Sequence, residues 1–264
     1  MEKALNYSDV YLVPNRSELK SRSQADTSID FLGRKFKLPV IPANMSSVIN
    51  EDLAKWCSEN DYFYIMHRFN GATESLVKRA NKENWKTISI SIGVNKSDFD
   101  FIEKYFHSSN WRIDYITIDV AHGHHSLVKE MIDHLKSHRD NLKNFKIIAG
   151  NVCTPEAVYD LANWGADAAK VGIAGGGACS TKNQTGFHIP MFSCVEICVN
   201  GYEHKYGEEF NNTLNALYYT HTVSDFYTEK EYSEKRDELL AAYSHAKIPI
   251  IADGGVRENG DLAK

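Results

Sequence analysis

No stretch of this 264-residue sequence approaches the roughly 18 consecutive apolar residues that a bilayer-crossing helix requires. The opening segment, MEKALNYSDVYLVP, lacks the apolar region of a secretory signal, so a cytoplasmic protein without a membrane partner is expected. Basic residues are not in excess either: 30 Lys and Arg stand against 35 Asp and Glu, for a formal net charge of -5. No basic block supplies the electrostatic footprint that nucleic acid demands, which excludes it as a partner class. Paired cysteines are missing as well. Cys57, Cys153, Cys179, Cys194 and Cys198 are odd in number and scattered, matching neither a disulfide framework nor a paired zinc pattern. They are expected to be reduced thiols.

What is present is an ordinary globular composition, 42% hydrophobic and 25% charged, at the length of one large domain spanning 1–264. Short apolar runs rich in Val, Ile and Ala alternate with charged stretches of helical period, the pattern of buried parallel strands between helices. The runs are Leu38–Ala43, Tyr62–Met66, Thr87–Ile92, Tyr115–Val120, Lys146–Ala149, Ala168–Ile173 and Ile248–Ala252. Candidate helices include Glu51–Glu59, Glu74–Asn81, Ser126–His138 and Pro155–Trp164. The fold class predicted is α/β, a (β/α)8 barrel with seven strands visible. Strand ends run repeatedly into small or polar residues, and in such a barrel these ends face the active site. One stretch breaks the rhythm: about 201–240, rich in Tyr, Glu, Lys, Asn and Thr, reads as an insertion between the sixth strand's helix and the seventh strand. It is expected on the face opposite the chemistry, as a surface elaboration or oligomer contact, with closure over the site as the alternative.

The strongest chemical signal is the run from Lys170 to Thr181, KVGIAGGGACST, directly after a strand. Consecutive glycines let backbone N–H groups approach an anion closely. A cysteine in that electropositive setting has its thiolate favoured, making Cys179 a candidate nucleophile and Thr181 a candidate proton relay. The competing reading is a flexible loop with an incidental buried cysteine, and glycines alone do not decide between them. His122, His124 and His125 cluster without a completing carboxylate–His spacing, so they are assigned no metal. Cys194 and Cys198, four apart on a predicted helix, read as packing residues.

Ordered segments supply the missing context. They are YSDVYLVP (7–14), SRS (21–23), LPVIPANM (38–45), IMHRF (65–69), DVAHGH (119–124), AGNV (149–152), the loop from Cys179 to Gly186, and IIADGG (250–255). Together they resemble the GMP reductase and IMP dehydrogenase family along nearly the whole chain. The reductase branch is favoured because no paired regulatory module follows the early strands and because of the Met-His-Arg-Phe and Asp-Val-Ala-His-Gly segments. IMP dehydrogenase without its module is the alternative.

The resemblance implies a mechanism: Cys179 as thiolate attacks C2 of GMP, ammonia leaves, hydride from NADPH reduces that carbon, and IMP departs, with Thr181 assisting at the leaving amine. It also implies roles for other residues. Gly176 and Gly177 meet the phosphate, while Asp253, with Gly254 and Gly255, holds the ribose. Asp119, Val120 and Ala121 lie by the nicotinamide. Ser21 and Arg22 form an outer cofactor contact, and Arg68 stands where some reductases have Lys. The carbonyls of Ala174, Gly176 and Cys179, with Lys182, match a potassium-binding turn. A homotetramer is implied as well.

Three departures stand out. Ala174 occupies a turn where a positive φ would be disfavoured by its Cβ. Phe187-His188-Ile189-Pro190 replaces the usual glycine-rich continuation. The sequence stops at Lys264, inside the helix expected after the seventh strand, so the eighth strand, its phosphate loop and the late flap are expected on another polypeptide or left out. A nucleotide-binding protein without turnover and a structural partner subunit are the readings that this leaves open.

Overall fold

Five of the apolar runs pair into one parallel sheet. The computed structural model describes residues 3–108, 111–142, 144–177, 179–199, 231, 234 and 248–262. A hairpin of β1 (Ile29–Phe31) and β2 (Arg34–Phe36) precedes the sheet strands β3 (Ser89–Ile92), β4 (Tyr115–Asp119), β5 (Lys146–Val152), β6 (Ala168–Val171) and β7 (Ile250–Ala252). Sheet order follows chain order from β3 to β7, every pair parallel. Helices α1 (Glu51–Glu59) and α2 (Ala72–Lys82) come before β3, and α3 (Lys96–Ser108), α4 (Ser126–Leu142) and α5 (Pro155–Trp164) make the crossovers. A one-turn α6 (Thr181–Thr185) and a helix over residues 191–199 follow β6. No helix among the described residues is long and apolar enough to cross a membrane.

Two expected strands are not strands. Leu38–Ala43 and Tyr62–Met66 run without ladder pairing, so the sheet of the described residues has five members and does not close. Pro39 and Pro42 have no N–H to offer a ladder. Beside Tyr62–Met66, side chains take up the backbone groups a ladder would use. Tyr64 Oη donates to the Thr87 carbonyl at 2.9 Å, Ser58 Oγ accepts the Thr87 N–H at 2.8 Å, and Ser91 Oγ donates to the Met66 carbonyl at 2.6 Å. The expected insertion at 201–240 lies, but for residues 231 and 234, outside the described residues.

Two of the expected helices, α1 and α5, keep their bounds because their caps are written locally. Asn50 Oδ1 accepts the Leu53 N–H at 2.9 Å, and Thr154 caps α5 ahead of Pro155, while Gly165 ends it at φ 111°.

Strand alternation sorts the residues. Ile116, Ile118, Ile147, Ala149, Ala169 and Val171 face the helices in the main core, while Tyr115, Ile148 and Ala168 face a second cluster on the other side. That side holds Phe31, Phe36 and Phe63, with ring centroids 5.0 Å apart for Phe31–Phe63, 5.2 Å for Phe36–Phe63 and 4.9 Å for Phe63–Tyr115. Tyr115 and Ala168 open their strands, so the hairpin plugs the N-terminal end of the sheet. By the same period of two, Asp119 and Lys170 point to this inner side at the opposite end.

Phe36 is 1% exposed at the centre of the plug. Phe36→Ala is expected to cost about 3–5 kcal/mol in urea unfolding, as for other large core truncations, with the denaturant slope unchanged.

Candidate active site

Lys170 sits on the inner face of β6, 3% exposed, in a sequence context of Ala, Ala and Val. Its Nζ donates to Asp119 Oδ1 at 2.9 Å and Asn44 Oδ1 at 3.1 Å, and lies 3.1 Å from Asp253 Oδ2. Burial opposes its charge, but Asp253 and Asp119 more than offset it, and its pKa stands above the ordinary lysine value. Asp253 is held from a second direction by Asn151 Nδ2 at 2.6 Å, which also donates to the Gly172 carbonyl at 2.7 Å. One ammonium thus joins the ends of β4, β6 and β7.

Above this hub lies a cleft of about 550 Å³ lined by Ala43, Asn44, Arg68, Phe69, Asp119–Ala121, Asn151, the 172–176 loop, Cys179, Thr181, Asp253 and Gly254. The loop after β6 is drawn against the β7 end so closely that a Cβ on Gly254, whose φ is +95°, would lie 2.8 Å from the Gly176 nitrogen. The Cys179 N–H donates to the Gly176 carbonyl at 3.2 Å, and its thiol to Thr181 Oγ1 at 3.3 Å. Hydrogen bonding from Thr181, aided by the charge of Lys182, holds the thiol below its ordinary pKa against slight desolvation and the charge of Asp253. His188 Nδ1 lies 2.9 Å from the Ile173 carbonyl, so the unusual Phe-His-Ile-Pro segment ties back to the cysteine loop. A second cavity of about 560 Å³, lined among others by His122, His124, Cys153, Phe187 and His188, meets the first at Ala121, Ile173 and Thr181.

The structure therefore gathers Cys179, Thr181, Gly176, Asp253, Gly254, Arg68, Asp119, Val120, Ala121 and Ala174 around one cleft. Gly177 and Gly255 neighbour it without lining it. Gly255 instead packs on Met191, and Lys182 lies in α6. Ser21 and Arg22 are not brought there: they are exposed in the N-terminal arm, where Ser21 caps a short turn by accepting the Ser23 N–H. Ala174 does adopt the left-handed conformation, φ 57°, despite its Cβ. Lys170, Asn44 and Asn151 were not among the expected site residues. The available signal was a lysine inside a strand otherwise apolar on both faces.

Two substitutions follow. Lys170→Met strips the partner from two inward carboxylates and is expected to cost about 3–5 kcal/mol in denaturant unfolding. Ala174→Gly relieves the backbone strain at φ 57° and is expected to gain about 0.5–1 kcal/mol, the relief being part-offset by a more flexible unfolded chain.

Residues 4–209 match the IMP dehydrogenase / GMP reductase domain. The chain is 41% identical over 264 residues to the proteins named GMP reductase from Staphylococcus aureus strains JH9, Newman and Mu50 / ATCC 700699, the alignment covering 99% of this chain and 66% of each relative. It thus spans 66% of the length of the curated relatives it matches. With the match reaching from the N-terminal arm through the cysteine loop, the chain belongs to the IMP dehydrogenase / GMP reductase family.

Proposed function

We propose that this chain carries the nucleophile-bearing part of a GMP reductase, converting GMP to IMP and ammonia with NADPH. The observation that carries the reading is Cys179 beside Thr181, at the wall of a cleft whose glycine loop is pinned to Asp253 and Gly254.

Each residue has a task in that reaction. The lowered thiol pKa raises the fraction of Cys179 thiolate available to attack C2 of the guanine ring. Thr181, at 3.3 Å, is placed to pass a proton to the amine as the C2–N bond breaks and ammonia departs. The phosphate is received by N–H groups of the 175–177 stretch, and the ribose by the Asp253 carboxylate, which Asn151 and Lys170 hold in place. Return of the electron pair to Cys179 Sγ releases IMP.

NADPH, when bound, supplies the hydride that reduces C2. The wall suits it: Arg68, packed over Phe69 at 5.0 Å, has its Nε buried without a hydrogen-bond partner among the described residues, and Asp119–Ala121 and the adjoining cavity lie alongside. Arg68 would meet an anionic part of that molecule.

A steady-state assay of NADPH oxidation with GMP, with IMP identified by chromatography, tests the proposal. Cys179→Ala is expected to abolish turnover while leaving GMP affinity within a few-fold, since phosphate and ribose contacts carry most ground-state binding. Turnover of IMP with NAD+ in place of GMP with NADPH would overturn the assignment in favour of the dehydrogenase.

The pH profile of Cys179 alkylation by iodoacetamide gives a further check. Its midpoint is expected below the roughly 8.5 of a free cysteine. Thr181→Val removes the first cause of that lowering and should move the midpoint up, whereas Asp253→Asn removes an opposing charge and should move it down.

A further inference from the structure

A second concentration of ligating side chains lies in the helix layer, and none of them lines the Cys179 cleft or its neighbour. Glu103 and His107 stand one turn apart on α3; His134 and His138 stand one turn apart on α4. Because α3 and α4 follow the adjacent parallel strands β3 and β4, they run side by side in the same sense, and the two pairs face each other. Glu103 Oε1 is 3.3 Å from both His134 Nε2 and His138 Nε2, and Glu103 Oε2 is 2.9 Å from His107 Nε2. The ligand atoms of Glu103, His134 and His138 all lie within 4.8 Å of one another.

His134 Nε2 is the informative atom. It is fully buried yet has no hydrogen-bond partner among the described residues, because its approach to Glu103 is close in distance but poorly aligned for an N–H···O bond. His138 Nε2 and Glu103 Oε1 do share a hydrogen bond at 3.3 Å, but it leaves His134 Nε2 facing the same carboxylate oxygen unbonded, and a cation is what would engage all three ligand atoms at once. A tetrahedral zinc with bonds of about 2.0–2.1 Å places its ligand atoms roughly 3.3 Å apart, and both Glu103–His separations already match that. The rings are fixed by packing: Phe106 stacks on His138 at 4.5 Å and 12°, and Phe99 tilts against His134 at 5.2 Å. The side chain of Glu103 is 43% exposed, which leaves a path for a cation and room for a water ligand.

We propose that Glu103, His134 and His138 form a zinc site that clips α3 to α4, with His107 orienting the carboxylate from outside. Two imidazoles and one carboxylate suit a borderline divalent cation, whereas magnesium and calcium want an all-oxygen shell. The site joins two helices and touches no substrate cleft, so its effect is on stability.

The test uses the purified chain, stripped with a chelator and titrated by calorimetry with zinc chloride and, separately, magnesium chloride. Wild type and His125→Gln are expected to take up one zinc per chain and no magnesium. Glu103→Gln and His134→Gln are each expected to weaken zinc by at least about tenfold while matching the metal-free wild type in circular dichroism. Zinc should raise the melting temperature of wild type and not that of the variants. A readout independent of any variant is the absorption of the cobalt-loaded wild type: four-coordinate d–d bands without sulfur charge transfer are expected. No zinc uptake, equal affinity for magnesium, a thiolate charge-transfer band, or undiminished zinc in the Glu103→Gln/His134→Gln double variant would each overturn the proposal, the last two by placing the metal elsewhere.

Discussion

The buried ammonium of Lys170 is the constraint on which the site depends. A charge only 3% exposed is tolerable because two carboxylates and an amide oxygen converge on it, and those acceptors come from three further segments: Asn44, Asp119 and Asp253. The arrangement works in both directions. Lys170 cannot be charged there without them, and Asp119 and Asp253 cannot both turn inward without Lys170 between them. What reads as a cofactor-side residue and what reads as a ribose-side residue are therefore held in register by one atom, Nζ. Asn151 adds a second tie, from the β5 end to both Asp253 and the Gly172 carbonyl. The cleft is a set of strand ends with shared hydrogen bonds, which is how a loop-borne cysteine comes to face a fixed acceptor.

Much of this was legible because it is local. Five parallel strands came from contiguous Val, Ile and Ala runs, and α1 and α5 were bounded by Asn50, Thr154, Pro155 and Gly165, whose side chains or φ angles act within a few residues. The pairing state of Leu38–Ala43 and Tyr62–Met66 was not legible, since it depends on whether a distant strand meets free N–H groups or the hydroxyls of Ser58, Tyr64 and Ser91. The β1–β2 hairpin escaped for a related reason. Its strands are three residues each, and its turn uses Leu32 at φ 51° beside Gly33, an unfavoured choice at a turn whose Leu32, Phe31 and Phe36 all pack in the inner cluster.

The site divides in the same way. Cys179, Thr181 and the glycines announce themselves within one loop, and their gathering with Asp253 follows from the order of strands. Asn44 and Asn151 are short polar residues at strand ends, indistinguishable in sequence from turn formers until Lys170 is seen to need an acceptor and Asp253 a donor. Ser21 and Arg22 show the converse. Their motif is local and plain, yet nothing among the described residues draws the exposed arm to the cleft.

The cysteines show how position alone sets one thiol, the proposed nucleophile, apart from packing residues. Burial raises the thiol of Cys57. A hydrogen bond with Cys194, together with burial, raises Cys153 further. Cys194 accepts some relief from Cys153, but Cys198 and burial outweigh it and push it up to about 12. Cys179 moves the other way, through a neighbouring hydroxyl, a backbone N–H and the charge of Lys182. Neutral hydrogen-bond donors as the larger causes, with Lys182 a lesser one, have an advantage at such a position. In the proposed reaction they favour the thiolate before attack without binding it so tightly as an ion pair that nucleophilicity is lost, and they leave Thr181 free to turn its proton toward a departing group. The strained Ala174 backbone belongs to the same economy, since a turn held at φ 57° by its pinned flanks fixes where the loop begins and so where Cys179 ends.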